Sequence, residues 1–324
     1  MSTEVWPPIA EDQLIKEQDA SLVWQYLFHI DLLKGLDLDA RELEWLLTEL
    51  QATLKALKEG LEECANLLAP QEPGSTLVLS SQRSESLKGF VSRVGTRIVK
   101  GDVQLRLPSL KPSPGATGFK VSVSSEPTAP TLVLQQLVSV RTLINACLDV
   151  VDASIWTGDA KNANFISGQL RLLHENMQEA RLALKGGPDV QKQWFEDPAD
   201  DKSFEPTLPP YLSFHLEIYE AALLLQVRTL EFTNPATQSK TLGGLSIREQ
   251  LAVALGGTKT PTHDEANEVF HYRGQEVKVK EKVRVESQDP SLMAAFAKLS
   301  ALEHTVALSR KALDVVMGIE DWSS

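Results

Sequence analysis

The sequence predicts an α+β protein: an antiparallel four-helix bundle lobe plus a mostly antiparallel β-sheet lobe, with the chain crossing between the lobes. Three observations carry that expectation. Four stretches repeat apolar residues in alternating steps of four and three, the seam of a helix packed lengthwise against other helices. Between them lie two stretches in which apolar and polar residues alternate one by one, as in strands with one wet face. Proline- and glycine-rich breaks fall where the period changes.

Residues 1–38 read as an N-terminal arm with one amphipathic helix. Leu22, Val23, Tyr26, Leu27, Ile30 and Leu33 share a face at helical spacing, and Gly35 ends it. Trp6, Trp24 and Phe28 give the arm an aromatic surface that either packs on the bundle or docks a partner.

The first seam runs Leu43, Leu47, Leu50, Leu54, Leu57, Leu61, Cys64 and Leu68. At 1.5 Å per residue it is roughly 38 Å long, too long for one small neighbour to cover. Asp39 caps the helix with Glu42 three positions on, as in a capping box, and Pro70, Pro73 and Gly74 stop it. Residues 47, 54, 61 and 68 also satisfy the leucine-zipper spacing. The entry, Asp39-Ala-Arg-Glu-Leu-Glu, is acidic, whereas a DNA-binding zipper needs Lys and Arg there. The flanks Leu46, Gly60, Ala65 and Leu67 are apolar or small, where a two-stranded zipper prefers charges. A wide apolar face favours an internal bundle helix, and a self-associating coil stays as the alternative.

After Gly74 the period becomes two. Thr76–Leu79, Leu87–Val94, Thr96–Val99, Val103–Leu107 and Phe119–Val123 read as short antiparallel strands in a sheet segment over 71–127. Helical spacing returns from about Thr131 with Val133, Leu137, Val140, Ile144, Cys147 and Val151. After Gly158 it resumes with Ile166, Leu170, Leu173, Met177, Ala180 and Leu184, ending at Gly186-Gly187-Pro188. Their short connection makes these two helices antiparallel neighbours within a bundle formed by 39–70, 128–186 and 289–318.

Residues 187–204 read as an acidic surface loop, Phe195-Glu-Asp-Pro-Ala-Asp-Asp included. From Tyr211 the period is two again, and Leu223–Leu230 is read as strand because a hairpin turn at Tyr219-Glu220 sets it beside the preceding strand. Residues 234–263 are an irregular insertion within a strand segment spanning 205–288, with a short helix possible at Ile247–Leu255. A final hairpin carries Val277, Val279, Val283 and Val285, alternating with Lys278, Lys280, Lys282 and Arg284. Such a basic face either protects an edge strand or docks an acidic partner. Asp289-Pro290 caps the last helix, whose seam contains Leu292, Leu299, Leu302, Val306 and Leu313. All strand residues together are expected in one mostly antiparallel sheet assembled from two separate segments.

The formal charge of −12 argues against a nucleic-acid binder, because phosphate needs compensating cations. No stretch reaches the roughly 18 consecutive apolar residues of a membrane span, and the N-terminus lacks a signal-peptide pattern. The expected setting is the cytoplasm. Cys64 and Cys147, both on helical seams, read as buried thiols rather than a disulfide or metal pair.

No catalytic constellation stands out. His174-Glu175-Asn176 lacks the second histidine of a zinc helix, and Gly256-Gly-Thr-Lys-Thr lacks the earlier glycine and the preceding strand of a phosphate loop. Catalytic, cofactor and metal residues are expected to be absent.

The order of patterned segments adds a resemblance. A leucine-rich first helix leads to Gly101-Asp-Val-Gln-Leu-Arg-Leu-Pro108. Two helices lead to Leu208-Pro-Pro-Tyr-Leu-Ser-Phe-His-Leu-Glu-Ile-Tyr, then come Val269-Phe-His-Tyr-Arg-Gly-Gln-Glu-Val-Lys-Val and a long terminal helix. From Leu43 to Gly318 the chain resembles the Rogdi family of leucine-zipper proteins, whose fungal members are the second subunit of the RAVE complex. The resemblance implies a non-enzymatic adaptor that promotes assembly of the V1 sector of the V-ATPase with its membrane sector. It implies as partners a large propeller-containing scaffold subunit, a small Skp-type subunit and V1 subunits, with peripheral recruitment to vacuolar or endosomal membranes. It transfers no catalytic residues.

Overall fold

The computed structural model describes residues 40–81, 85–156, 161–187, 193–233, 263–266 and 268–319. The arm 1–38, with Trp6, Trp24 and Phe28, and the expected helix at Ile247–Leu255 lie outside the described residues. Within them the chain is a mixture of four helices and two antiparallel sheets.

Helix α1 covers residues 40–67, and α2 Gln135–Trp156, α3 Ala163–Lys185 and α4 Pro290–Val316 follow. The heptad spacing does what it predicts in α1: Leu47, Leu50, Leu54, Leu57, Leu61, Cys64 and Leu68 are all buried. Leu43, near the helix start, is only partly so. In α2 and α3 the seam residues Leu137, Ile144, Leu170 and Leu173 are closed off, as are Leu299, Val306 and Leu313 in α4. Val133 is not on the α2 seam; Leu134 takes its place. The cause is strand β5, Leu132–Val133, whose pairing with Arg97 and Ile98 occupies the backbone groups that a helix starting at Thr131 would need.

Helices α3 and α4 are each started by a side chain that answers an open N–H group of the first turn. Asn162 accepts from the Phe165 N–H, and Asp289 from that of Ser291 at 2.9 Å. Helix α2 packs on α3 and α3 on α4. Lys58 of α1 pairs with Asp152 of α2 at 2.6 Å, and Glu63 pairs with Lys298 of α4. Gly60 lets α1 close on α4, because a Cβ there would meet Leu302 at 2.7 Å.

The strands form two sheets instead of the single sheet expected. The first is ordered β1 (Ser75–Ser80), β2 (Leu87–Val94), β3 (Arg97–Leu105), β4 (Phe119–Val123) and β6 (Phe204–Glu205), with β5 also on β3. The second is ordered β7 (Leu212–Tyr219), β8 (Ala222–Phe232), β10 (Gln275–Gln288) and β9 (Val269–Tyr272). Only the two-residue β6 carries the second strand segment into the first sheet. The long β8–β10 pairing takes the rest, and β1 lies against β10 where the sheets meet.

Two bulges set which residues face inward. The first leaves Val99 of β3 without a partner, so Ile98 and Val103, an odd number of residues apart, are both buried. The expected strands Thr96–Val99 and Val103–Leu107 are therefore one strand. The second falls between Val279 and Glu281 of β10.

Residues 222–232 are strand, as the alternation suggests, and the hairpin turn sits one residue later than expected, at Glu220-Ala221. Both turn residues have positive φ, 48° and 56°, without being glycine. Their N–H groups donate to the carbonyls of Lys185 and Leu184 at 2.7 and 2.9 Å, so the turn also satisfies the end of α3. Residues from all four helices and both sheets share one continuous apolar core.

Candidate functional site

The outer face of the second sheet gathers charge. Cross-strand register sets Ser213, His215 and Glu217 of β7 beside Arg228, Gln226 and Leu224 of β8, and Lys282 and Arg284 of β10 beside Arg228 and Gln226. The β10 bulge decides this. Val277 and Val279 sit with Leu230 in a small aromatic cluster, whereas Val283 and Val285 face the main core. The alternating cations are split in the same way, so Lys278, Lys280, Lys282 and Arg284 do not make the single basic face expected. Lys278 lies opposite Glu231, and Lys280 pairs with Glu231 at 3.4 Å at the bulge. Lys282 and Arg284 turn to the outer face, where Lys282 is largely enclosed.

Trp194 roofs one end of this face. It is buried among Phe195, Phe270 and Tyr272, its ring 5.1 Å from that of Phe270. The expected surface loop 187–204 is thus pinned by a core residue, and Phe204 at its end is buried too. An indole and a phenyl ring at these positions remove more apolar area from water than the neighbouring acids can hold out. The Arg228 guanidinium lies over the Trp194 ring at 4.7 Å from its centroid.

Arg228 is the centre of the polar network. Its side chain is 3% exposed. Nε and Nη2 donate to the two carboxylate oxygens of Glu265 at 2.7 and 2.8 Å, a bidentate pair. Nη2 also donates to Gln226, whose Nε2 donates to Glu217 at 2.6 Å. His215 Nε2 lies 3.4 Å from Glu217. Lys282 donates to Glu265 at 2.6 Å and to Asp264 at 2.8 Å. Arg284 rests over the Tyr219 ring, 4.9 Å from its centroid. One donor is left over: Arg228 Nη1 is buried without a hydrogen-bond partner.

The carboxylates respond to these cations. Burial works against the charge on Glu265, and the bonds and charges of Arg228 and Lys282 more than offset it, holding the group below the usual carboxylate range. Glu217 shows the same contest, with His215 and Gln226 on the lowering side. Asp264 is lowered chiefly by its bond to Lys282.

The network opens into a cavity of about 380 Å³ bordered by Trp194, Arg228, Lys282 and Arg284. His215 and Glu217 also border a larger groove of about 710 Å³ between α2, α3 and β7. That groove carries the half-exposed Val133 and Leu182 and the acids Glu179, Asp197 and Asp200. Among the described residues no group of three or more His, Cys, Asp or Glu side chains is placed to hold a metal ion. No helix among them is long and apolar enough to cross a membrane.

The model of the family described as Rogdi leucine zipper containing protein matches residues 42–314. The chain belongs to this family. In this member the leucines of α1 point into the chain's own core. Similarity extends to a fission yeast protein, "Regulator of V-ATPase in vacuolar membrane protein 2" of Schizosaccharomyces pombe. It is 22% identical over 294 residues, covering 82% of this chain and 90% of that protein. The family match takes in both sheets and the charged face between Trp194 and Arg284.

Of the cations singled out from sequence, the structure brings Lys282 and Arg284 to the cavity and leaves Lys278 and Lys280 off it. Sequence reasoning passed over Arg228, Glu217, His215, Trp194, Asp264 and Glu265. One signal was present: Gln226, Arg228 and Thr229 interrupt the otherwise apolar run from Ala221 to Leu230, where a polar side chain must find partners. The acidic partner of Arg228, Glu265, lies 37 positions away and has no pattern to announce it.

Proposed function

We propose that this chain is a non-enzymatic adaptor subunit of a RAVE-like complex, promoting assembly or reassembly of the V1 sector of the V-ATPase with its membrane sector. The observation that carries the reading is the similarity to a named V-ATPase regulator over 90% of that protein's length, within a family match spanning α1 to α4. In this reading the four helices form an antiparallel bundle that acts as a rigid frame, and the sheets present the contact surfaces. Opposed pairings support the bundle: Gly60 with Leu302 and Glu63 with Lys298 run in opposite chain directions. The expected partners are a large propeller-containing scaffold subunit, a small Skp-type subunit and V1 subunits, met at the cytoplasmic face of vacuolar or endosomal membranes.

Affinity purification of the tagged full chain from cells, followed by mass spectrometry, tests this directly. Recovery of the scaffold subunit together with V1 subunits is the expected result. If neither is recovered under conditions that preserve the V-ATPase, the adaptor reading fails. The competing reading, a self-associating coiled-coil scaffold, requires a free leucine seam, whereas Leu47 to Leu68 are buried within one chain. Sedimentation that does not change with concentration would remove it.

A further inference from the structure

We propose that the open edge of β7 at Phe214–Leu216 takes an extended segment of a partner protein, carrying Lys or Arg among apolar residues, as an added strand. The partner rests on the adaptor reading, and the surface on geometry and charge.

Among the described residues β7 is the outermost strand of the second sheet and pairs only with β8. Backbone groups along such a strand point alternately toward its neighbour and away from it. The Leu230 N–H of β8 donates to the Tyr211 carbonyl, so the odd-numbered residues face β8. Ile218 has the other parity, and both of its groups are met from outside the sheet. Its N–H donates to Gln136 Oε1 at 2.7 Å, and its carbonyl accepts from Gln136 Nε2 at 2.9 Å. The Gln136 amide thus stands in for one residue of a neighbouring strand. Toward the start of β7, the Leu212 N–H donates to the Pro209 carbonyl at 2.9 Å. Between these two stops, the N–H and C=O of Phe214 and Leu216 face outward without a partner among the described residues.

Alongside this edge runs the groove of about 710 Å³ between α2, α3 and β7, and Phe214 and Leu216 line it. An unpaired edge beside open space is a template for another strand. A helix could not serve, because its backbone groups are spent within it. The walls choose the side chains. Val133 and Leu182 offer half-exposed apolar surface to alternate residues of the added strand. Glu179, Asp197, Asp200 and Glu217 border the groove, and no Lys or Arg does among the described residues. Such a rim repels an acidic or phosphorylated segment and favours one with Lys or Arg.

The test selects peptides from a random library displayed on phage, using the purified full chain, and adds the enriched peptides while hydrogen exchange is read residue by residue. In the free chain the amides of Phe214 and Leu216 should exchange much faster than those of His215 and Glu217, and bound peptide should protect them. The enriched sequences should carry Lys or Arg among apolar residues. Methylating the peptide nitrogens one at a time should weaken binding roughly tenfold at every second position and little in between, as expected for a strand bonded along one edge. Glu179→Lys should weaken binding about fivefold at low salt and less at high salt. Glu179 is exposed, so this variant is expected to melt as wild type does. Amides of Phe214 and Leu216 already protected in the free chain would mean that another segment of this chain covers the edge, and would overturn the proposal. So would enrichment of acidic sequences, no enrichment at all, or peptides that bind without protecting these two amides. Purification from cells keeps the two readings apart. V-ATPase subunits recovered by wild type when no peptide protects the edge sink the added strand alone, and protection by peptide without those subunits sinks the adaptor reading alone.

Discussion

Arg93 of β2 donates through Nε to Asp289 at 2.6 Å across 196 positions of sequence, and both side chains are closed off from solvent. Asp289 is also the cap of α4, accepting from Ser291, while Arg93 Nη1 donates to the Gly95 carbonyl at 2.6 Å. One carboxylate therefore starts the last helix and ties that helix to the first sheet.

Removing one partner of a buried pair leaves the other charged and dry. Asp289→Ala should lower the free energy of unfolding by about 3–5 kcal/mol, with the lost cap included. The double variant Arg93→Met, Asp289→Ala should lose clearly less than the two single losses combined, because no lone charge remains. Urea denaturation of the single and double variants checks both statements, and strict additivity would show that the pair does not act as one unit.

The leucine seam makes a second prediction. Leu54 and Leu57 are each 1% exposed, whereas Trp45 on the same helix is 63% exposed. Leu54→Ala and Leu57→Ala should each cost about 2–5 kcal/mol. Trp45→Ala should stay within about 0.5 kcal/mol of wild type. An external zipper would give a different pattern, with leucine substitutions altering self-association while leaving the monomer's melting unchanged.

Cys64 and Cys147 are buried, and burial pushes each thiol up to about 12, with Cys64 adding to the effect on Cys147. The thiolate is the reactive form. Iodoacetamide at neutral pH should leave both residues unmodified in the folded chain and label both in urea. Labelling rate should then follow unfolding across the urea transition. Rapid modification of either cysteine under native conditions would place it outside the core.

The parts of this architecture that follow a fixed period were legible in the sequence. The α3 seam is buried at Ile166, Leu170, Leu173, Met177, Ala180 and Leu184, as its spacing requires. Alternation marked β7 as strand, and the hairpin turn after it separated β8 from helix, although Leu223–Leu230 suits either by composition. What misled was the bulge. At Val99 a break in alternation suggests two strands where there is one. In β10 the reverse happens: unbroken alternation hides a bulge, so Lys282 and Arg284 part from Lys278. A bulge inverts every later side chain without changing composition. The charged face was less legible still, because Arg228 meets Glu265 and Trp194 only through tertiary packing.

That charged face carries the last prediction, on acid stability. Glu217, Asp264 and Glu265 are all held below their ordinary values in the folded chain. A carboxylate lowered by folding contributes stability above its unfolded value, about 3.9–4.3. That contribution is lost as pH falls through the folded value. Stability from these groups should therefore be level from neutrality down to about pH 5 and fall below it. Lys282→Met removes the main cause of the Asp264 lowering and one of those acting on Glu265. The variant should be less stable at neutral pH and show a shallower loss in acid, since its folded and unfolded carboxylates then titrate closer together. Thermal melts of both proteins between pH 7 and pH 3 decide it. Parallel acid limbs would mean that Lys282 does not hold these carboxylates ionised.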